Sequence, residues 1–143
     1  MFIGEYHYTI DSKKRLAIPV KFRLELGKKA FITRGLEQSL FLYTQKDWKK
    51  LAAKLSRLPF SKSDARGFSR LMLAGAMEVE LDKAGRILIP DYLKNYASLQ
   101  KSITIVGVFD RVEIWNEEKW SKYKGQMEKE VGDMAERLGE LGV

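Results

Sequence analysis

Two stretches of strand-like pattern, Tyr6–Ile10 and Leu16–Ile18, flank a polar run from Asp11 to Arg15. The same arrangement returns later as Met77–Leu81, Asp82–Arg86 and Ile87–Ile89. Period-two alternation and short apolar runs bounded by turn residues mark strands, so each set predicts a β-hairpin. Pro19 and Pro90 follow; they lack an amide donor and suit a first helical turn, which predicts short helices over Val20–Leu26 and Asp91–Tyr96. Next come strand pairs joined by Gly-containing turns, Phe31–Arg34 with Ser39–Tyr43 and Ser102–Val106 with Arg111–Trp115. A helix closes each unit, announced by Thr44 three residues before Asp47 and by Asn116 before two glutamates. Pro59, Ser61 and Ser63 break the first of these, which carries Trp48, Leu51, Leu55 and Leu58. A further helix with Phe68, Leu71 and Met72 follows, so a helical bridge joins the units.

The pattern is a duplication. Asp11, Arg15, Ile18 and Pro19 coincide with Asp82, Arg86, Ile89 and Pro90 at a shift of 71. After one inserted residue the register resumes at 72, setting Gly35 on Gly107, Leu40 on Val112, Tyr43 on Trp115 and Trp48 on Trp120. The expected fold is α+β, mainly β, with repeat 1 over 5–47, a helical bridge over 48–75, repeat 2 over 76–119 and a C-terminal helix or tail over 120–143.

Charge divides the chain. Residues 1–75 hold 16 Lys and Arg against 6 Asp and Glu, whereas residues 76–143 hold 10 against 13, so a net +10 faces a net −3. A basic half favours a polyanionic partner, because binding phosphates releases condensed counterions. With no cysteine and one histidine there is no disulfide framework and little from which to build a metal centre. We expect no metal, no cofactor and no small-molecule ligand. The absence of a long apolar run or a leader-like N-terminus predicts a soluble, cytoplasmic protein without a membrane partner, and a nucleic-acid partner would make it nucleoid-associated.

A two-stranded ribbon fits the major groove of B-DNA, and an arginine at its turn can make a bidentate contact to guanine. Arg15 and Arg86 hold that position, with Lys13, Lys14, Lys21 and Arg23 around Arg15 all able to hold phosphates and Lys83 as a further DNA contact beside Arg86. Asp11 and Asp82 are poor phosphate ligands, and are expected to cap the turns or orient the arginines. Glu78, Glu80, Asp82 and Asp91 surround Arg86 in sequence, so the first turn is expected to carry more of the affinity. The bland alternative is a cross-turn ion pair that merely closes each hairpin. A binding module without sequence preference, for RNA or as a scaffold, is the second function class. An enzyme is not expected, since no nucleophile stands with a base and no phosphate-cradling glycine loop occurs.

These residues resemble the MraZ family, bacterial regulators of the division and cell wall gene cluster with SpoVT/AbrB-type domains. The resemblance spans nearly the whole chain. It rests on the two Asp-x-x-x-Arg turns followed by Ile-Pro, on Leu55-Ser56-Arg57-Leu58, on Leu71-Met72-Leu73-Ala74-Gly75-Ala76, and on Val106-Gly107 leading to Glu113-Ile114-Trp115. It implies a swapped-hairpin barrel in which hairpins of the two copies interlock within one chain. It also implies a homo-oligomeric ring that binds direct repeats of double-stranded DNA in the promoter of its own operon, usually as a repressor. Lys14 departs from the family pattern, which generally has glycine there.

Tyr123, Met127, Val131, Met134, Leu138 and Leu141 form a stripe at coiled-coil spacing, while Gly125, Gly132 and Gly139 weaken another face of the same helix. The stripe predicts either a seam for a neighbour or a helix folded back on its own domain. His7 is expected to be a plain strand residue, and Trp48 and Trp120 duplicated packing residues.

Overall fold

In a computed structural model describing residues 1–143, the chain forms eight strands and five helices. The first copy comprises β1 (Phe2–Thr9), β2 (Arg15–Ala17), α1 (Val20–Leu26), β3 (Lys29–Arg34), β4 (Leu40–Thr44) and α2 (Gln45–Ser56). After α3 (Ser63–Ala74), the second comprises β5 (Met77–Glu80), β6 (Arg86–Leu88), α4 (Asp91–Tyr96), β7 (Ser102–Phe109), β8 (Arg111–Asn116) and α5 (Glu117–Leu138). Helical residues outnumber strand residues, yet the larger core lies mainly among strands. No helix is long and apolar enough to cross a membrane.

Six strands form one antiparallel sheet in the order β1-β7-β8-β4-β3-β5. The order reads the same from both ends once copies are exchanged, so a pseudo-two-fold axis passes between β4 and β8. Only β3–β4 and β7–β8 pair within a copy. Phe2 to Thr9 run against Phe109 to Ser102, and Lys29 to Ile32 against Glu80 to Met77, so each copy lends its first strand to the other.

The short strands β2 and β6 make a separate ribbon on the same axis, with Arg15 opposite Leu88, Leu16 opposite Ile87 and Ala17 opposite Arg86. The expected hairpins therefore close at their turns but do not continue: Ile10 and Leu16 form a single bridge, after which the strands part. The physical reason is burial. Crossing to the other copy sets Leu16 against Ile87, and both are almost completely withdrawn from water. This exchange is the swapped-hairpin arrangement that the family resemblance implied.

Pairing across the sheet also corrects the alignment of the copies. Arg34 pairs with Leu40 and Gly107 with Val112, so β3 matches β7 at a shift of 73 while β4 matches β8 at 72. Gly107 is thus the counterpart of Arg34, not of Gly35. It has its own reason to be glycine: a Cβ there would lie 2.5 Å from the amide nitrogen of Ile3, forcing β1 off the sheet.

Both closing helices are capped as expected. Thr44 Oγ1 accepts from the amide of Asp47 and Asn116 Oδ1 from that of Lys119, each at 3.0 Å. The bridge turns through Pro59, where Arg66 donates to the carbonyl of Phe60. Trp48 is buried and stacks on Phe31, whereas Trp120 packs edge-on to Trp115 and donates to Glu5 from its ring nitrogen. The two tryptophans are both packing residues. His7 is more than a plain strand residue, since its ring nitrogens lie 3.1 Å from Glu5 and from Glu117, tying β1 to the start of α5.

Candidate nucleic-acid interface

The two turns are built alike. Oδ1 of Asp11 accepts from the amides of Lys13 at 2.9 Å and Arg15 at 2.8 Å. Oδ1 of Asp82 accepts from those of Ala84 and Arg86, each at 2.9 Å. The outer oxygen of each carboxylate takes the Nε–H of its own arginine at 3.0 Å. Each aspartate therefore bonds both the amides of its turn and the guanidinium of its own arginine. The backbone amide of Arg15, and in the second turn that of Arg86, does most to hold each carboxyl below its ordinary range.

That depression carries a pH signature. A carboxylate with a lowered folded-state pKa contributes stability that is complete above its unfolded value and is lost as pH falls through the folded one. The thermal midpoint of Asp82→Ala should lie below that of the parent by a constant gap at neutral to mildly acidic pH. Below about pH 4 the gap should narrow. Arg86→Ala, which keeps the amide contacts, should lower the midpoint less than Asp82→Ala. An inverted order in thermal melts would show that the ion pair, not the cap, closes the turn.

Across the axis the turns stand side by side. Arg86 Nη1 lies 4.0 Å from Asp11 Oδ2, and the carbonyls of Gly85 and Lys14 accept from the amides of Ile18 and Ile89. One face of the β2–β6 ribbon is Leu16 and Ile87, turned to the core; the other is Arg15, Ala17, Arg86 and Leu88. The arginine side chains are about equally open there, 33% and 34% exposed. With Nε held by aspartate, the outer ends of both guanidinium groups are left for a partner. Lys13 and Lys83 are exposed at the two tips.

Lys14 and Gly85 occupy matching positions, and both adopt the left-handed conformation, with φ 62° and 75°. For lysine that conformation costs roughly 1–2 kcal/mol. Its ammonium forms an ion pair with Asp91, so the charge has an intramolecular use as well as an exposed position. At Gly85 a Cβ would sit 2.2 Å from the guanidinium carbon of Arg23, so a side chain there would require that guanidinium to move. Arg23 itself donates from Nε to the carbonyl of Ile18 at 2.7 Å, so it also braces the chain beside the ribbon.

The acidic surroundings of Arg86 also rearrange on folding. Glu78 and Glu80 face Lys29 at 3.5 and 4.0 Å, and Asp91 serves Lys14. One of the two reasons for expecting unequal turns is thereby weakened, while the basic neighbours of Arg15 remain. Sequence reasoning passed over Leu88, 59% exposed on the ribbon face opposite Arg15. Its signal was present: Ile87 and Ile89 are buried, and strand alternation turns the residue between them outward.

Comparison with known proteins follows the duplication. The family model described as "MraZ protein, putative antitoxin-like" matches residues 1–71 and again 72–139. The chain is similar to the transcriptional regulator MraZ of Natranaerobius thermophilus and of Acetivibrio thermocellus, 48% identical to each over the full length of both chains. It is also 48% identical to that of Carboxydothermus hydrogenoformans, over 96% of each chain.

Proposed function

The chain belongs to the MraZ family, and on that premise we propose that it is a DNA-binding transcription regulator whose recognition element is the β2–β6 ribbon. One observation carries the reading: two arginines, each aimed by its own aspartate, project from one exposed two-stranded face beside Lys13 and Lys83. Arg15 and Arg86 read guanine edges, Lys13, Lys14 and Lys83 contact phosphates, and Leu88 offers an apolar contact of the kind that meets a thymine methyl. Residues 5–47 and 76–119 act as the paired repeats, 48–75 as the bridge and 120–143 as an assembly tail. Copies of the chain form a ring, and the ring binds direct repeats in the promoter of its own division and cell wall operon as a repressor. One ribbon makes few contacts, but several ribbons meeting several repeats gain about 10²–10⁴ through effective concentration.

The test is a binding titration of the full chain against DNA upstream of its own gene, with a shuffled sequence of equal length at the same ionic strength. We expect preference for the upstream DNA of at least about 10³, the lower end for specific recognition. Equal binding to both would instead identify a module that grips nucleic acid through charge alone.

A further inference from the structure

Helix α5 is the counterpart of α2, and the two differ in what covers them. At a shift of 72, Leu55 of α2 corresponds to Met127 of α5. Leu55 is 4% exposed, because α3 turns back beside it and lays Met72 in the same cluster. After α5 the chain makes a short turn over Gly139–Leu141, whose residues are all exposed and lay nothing on the stripe. None of the residues of α5 is buried, Met127 and Met134 are half-exposed, and Val131 and Leu138 are 59% and 45% open. The helix packs on its own domain at Trp120, Tyr123 and Lys124, and beyond them it carries its apolar stripe into solvent.

A second unfilled apolar surface lies on the bridge. Leu55, Leu58, Phe60, Arg66, Arg70 and Leu73 line a cleft of about 420 Å³ between α2 and α3, with Phe60 85% exposed. Exposed apolar surface of this extent marks an interaction site. Charge decides which surfaces match. Residues 45–75 hold 8 Lys and Arg against 2 Asp and Glu, whereas residues 125–143 hold 2 against 5. The acidic tail repels its own kind and suits the basic bridge.

We infer that the apolar stripe of α5 in one copy seats in the cleft between α2 and α3 of the next. The contact joins different surfaces of identical chains, the type that closes into a ring when its rotation permits. The inference rests on the oligomeric reading above and names the seam that holds it together.

Because the chain has no cysteine, engineered thiols report this seam alone. Phe60→Cys, Val131→Cys and the double variant alter exposed positions of the full chain, and each is treated with a short bismaleimide. The double variant should give a ladder of dimers, trimers and higher species on denaturing gels, and each single variant should remain monomeric there. Val131→Cys linking to itself would overturn the seam in favour of α5 pairing with α5. An oligomer by light scattering that yields no ladder would place the contact elsewhere and also overturn it. A monomer by light scattering would remove the seam and the ring together, while the DNA titration still judges the ribbon separately.

Discussion

Arg15→Ala and Arg86→Ala will each weaken binding to the upstream DNA by about five- to hundredfold, the equivalent of roughly 1–3 kcal/mol for a lost bidentate base contact. Thermal unfolding will move little, because the aspartate keeps its amide contacts when the guanidinium is removed. The two losses should be similar in size. Both arginines sit on one ribbon face, 33% and 34% exposed and each held by its own aspartate, with Arg86 also 4.0 Å from Asp11, and the acidic residues near Arg86 in sequence are engaged by Lys29 and Lys14. Lys13→Ala, by contrast, should weaken all sequences alike and flatten the salt dependence, the mark of a phosphate contact. A marked fall in melting temperature for Arg15→Ala with unchanged affinity would reduce the arginine to a hairpin clasp.

Leu16→Ala and Ile87→Ala are the substitutions expected to damage the fold most. Each residue is almost fully buried directly opposite the other, and truncating such a side chain costs about 2–5 kcal/mol through lost burial and the cavity left behind. Against a total of about 5–15 kcal/mol for a domain, either change consumes a large share. Denaturant titrations should find the double variant less destabilised than the sum of the singles, since the two truncations open a common cavity. Losses below about 1 kcal/mol would mean that the underside of the ribbon is not part of the core.

Much of this architecture was legible in residue patterns, and its limits have physical causes. Pro19, Pro90, Thr44 and Asn116 act within one turn of themselves, so α1, α4 and the starts of α2 and α5 follow from local chemistry. The residues from Phe2 to Glu5 carried no clear period. They are strand because β7, about a hundred positions away, supplies the ladder and Gly107 makes room. The turns themselves were correctly located, since an aspartate marks each of them and Gly85 supplies the positive φ in the second, which Lys14 adopts at a cost in the first. What linear order concealed was their adjacency, and with it the pairing of Lys14 with Asp91 and the bracing role of Arg23. Charge neighbours along a chain are poor guides to charge neighbours in space. The tail resisted interpretation for another reason: a heptad stripe states that a partner is wanted, not which one.

Trading strands between the copies has a consequence for how the protein is made. During synthesis the strongly basic half emerges first, yet β1 and β2 then have nothing to lie against, because β7 and β6 are still inside the ribosome. The early chain carries its positive charge without the β2–β6 ribbon. Ribbon and sheet are completed only once the second copy has left the exit tunnel, so a product cut off at the bridge would be a basic polypeptide with unpaired strands.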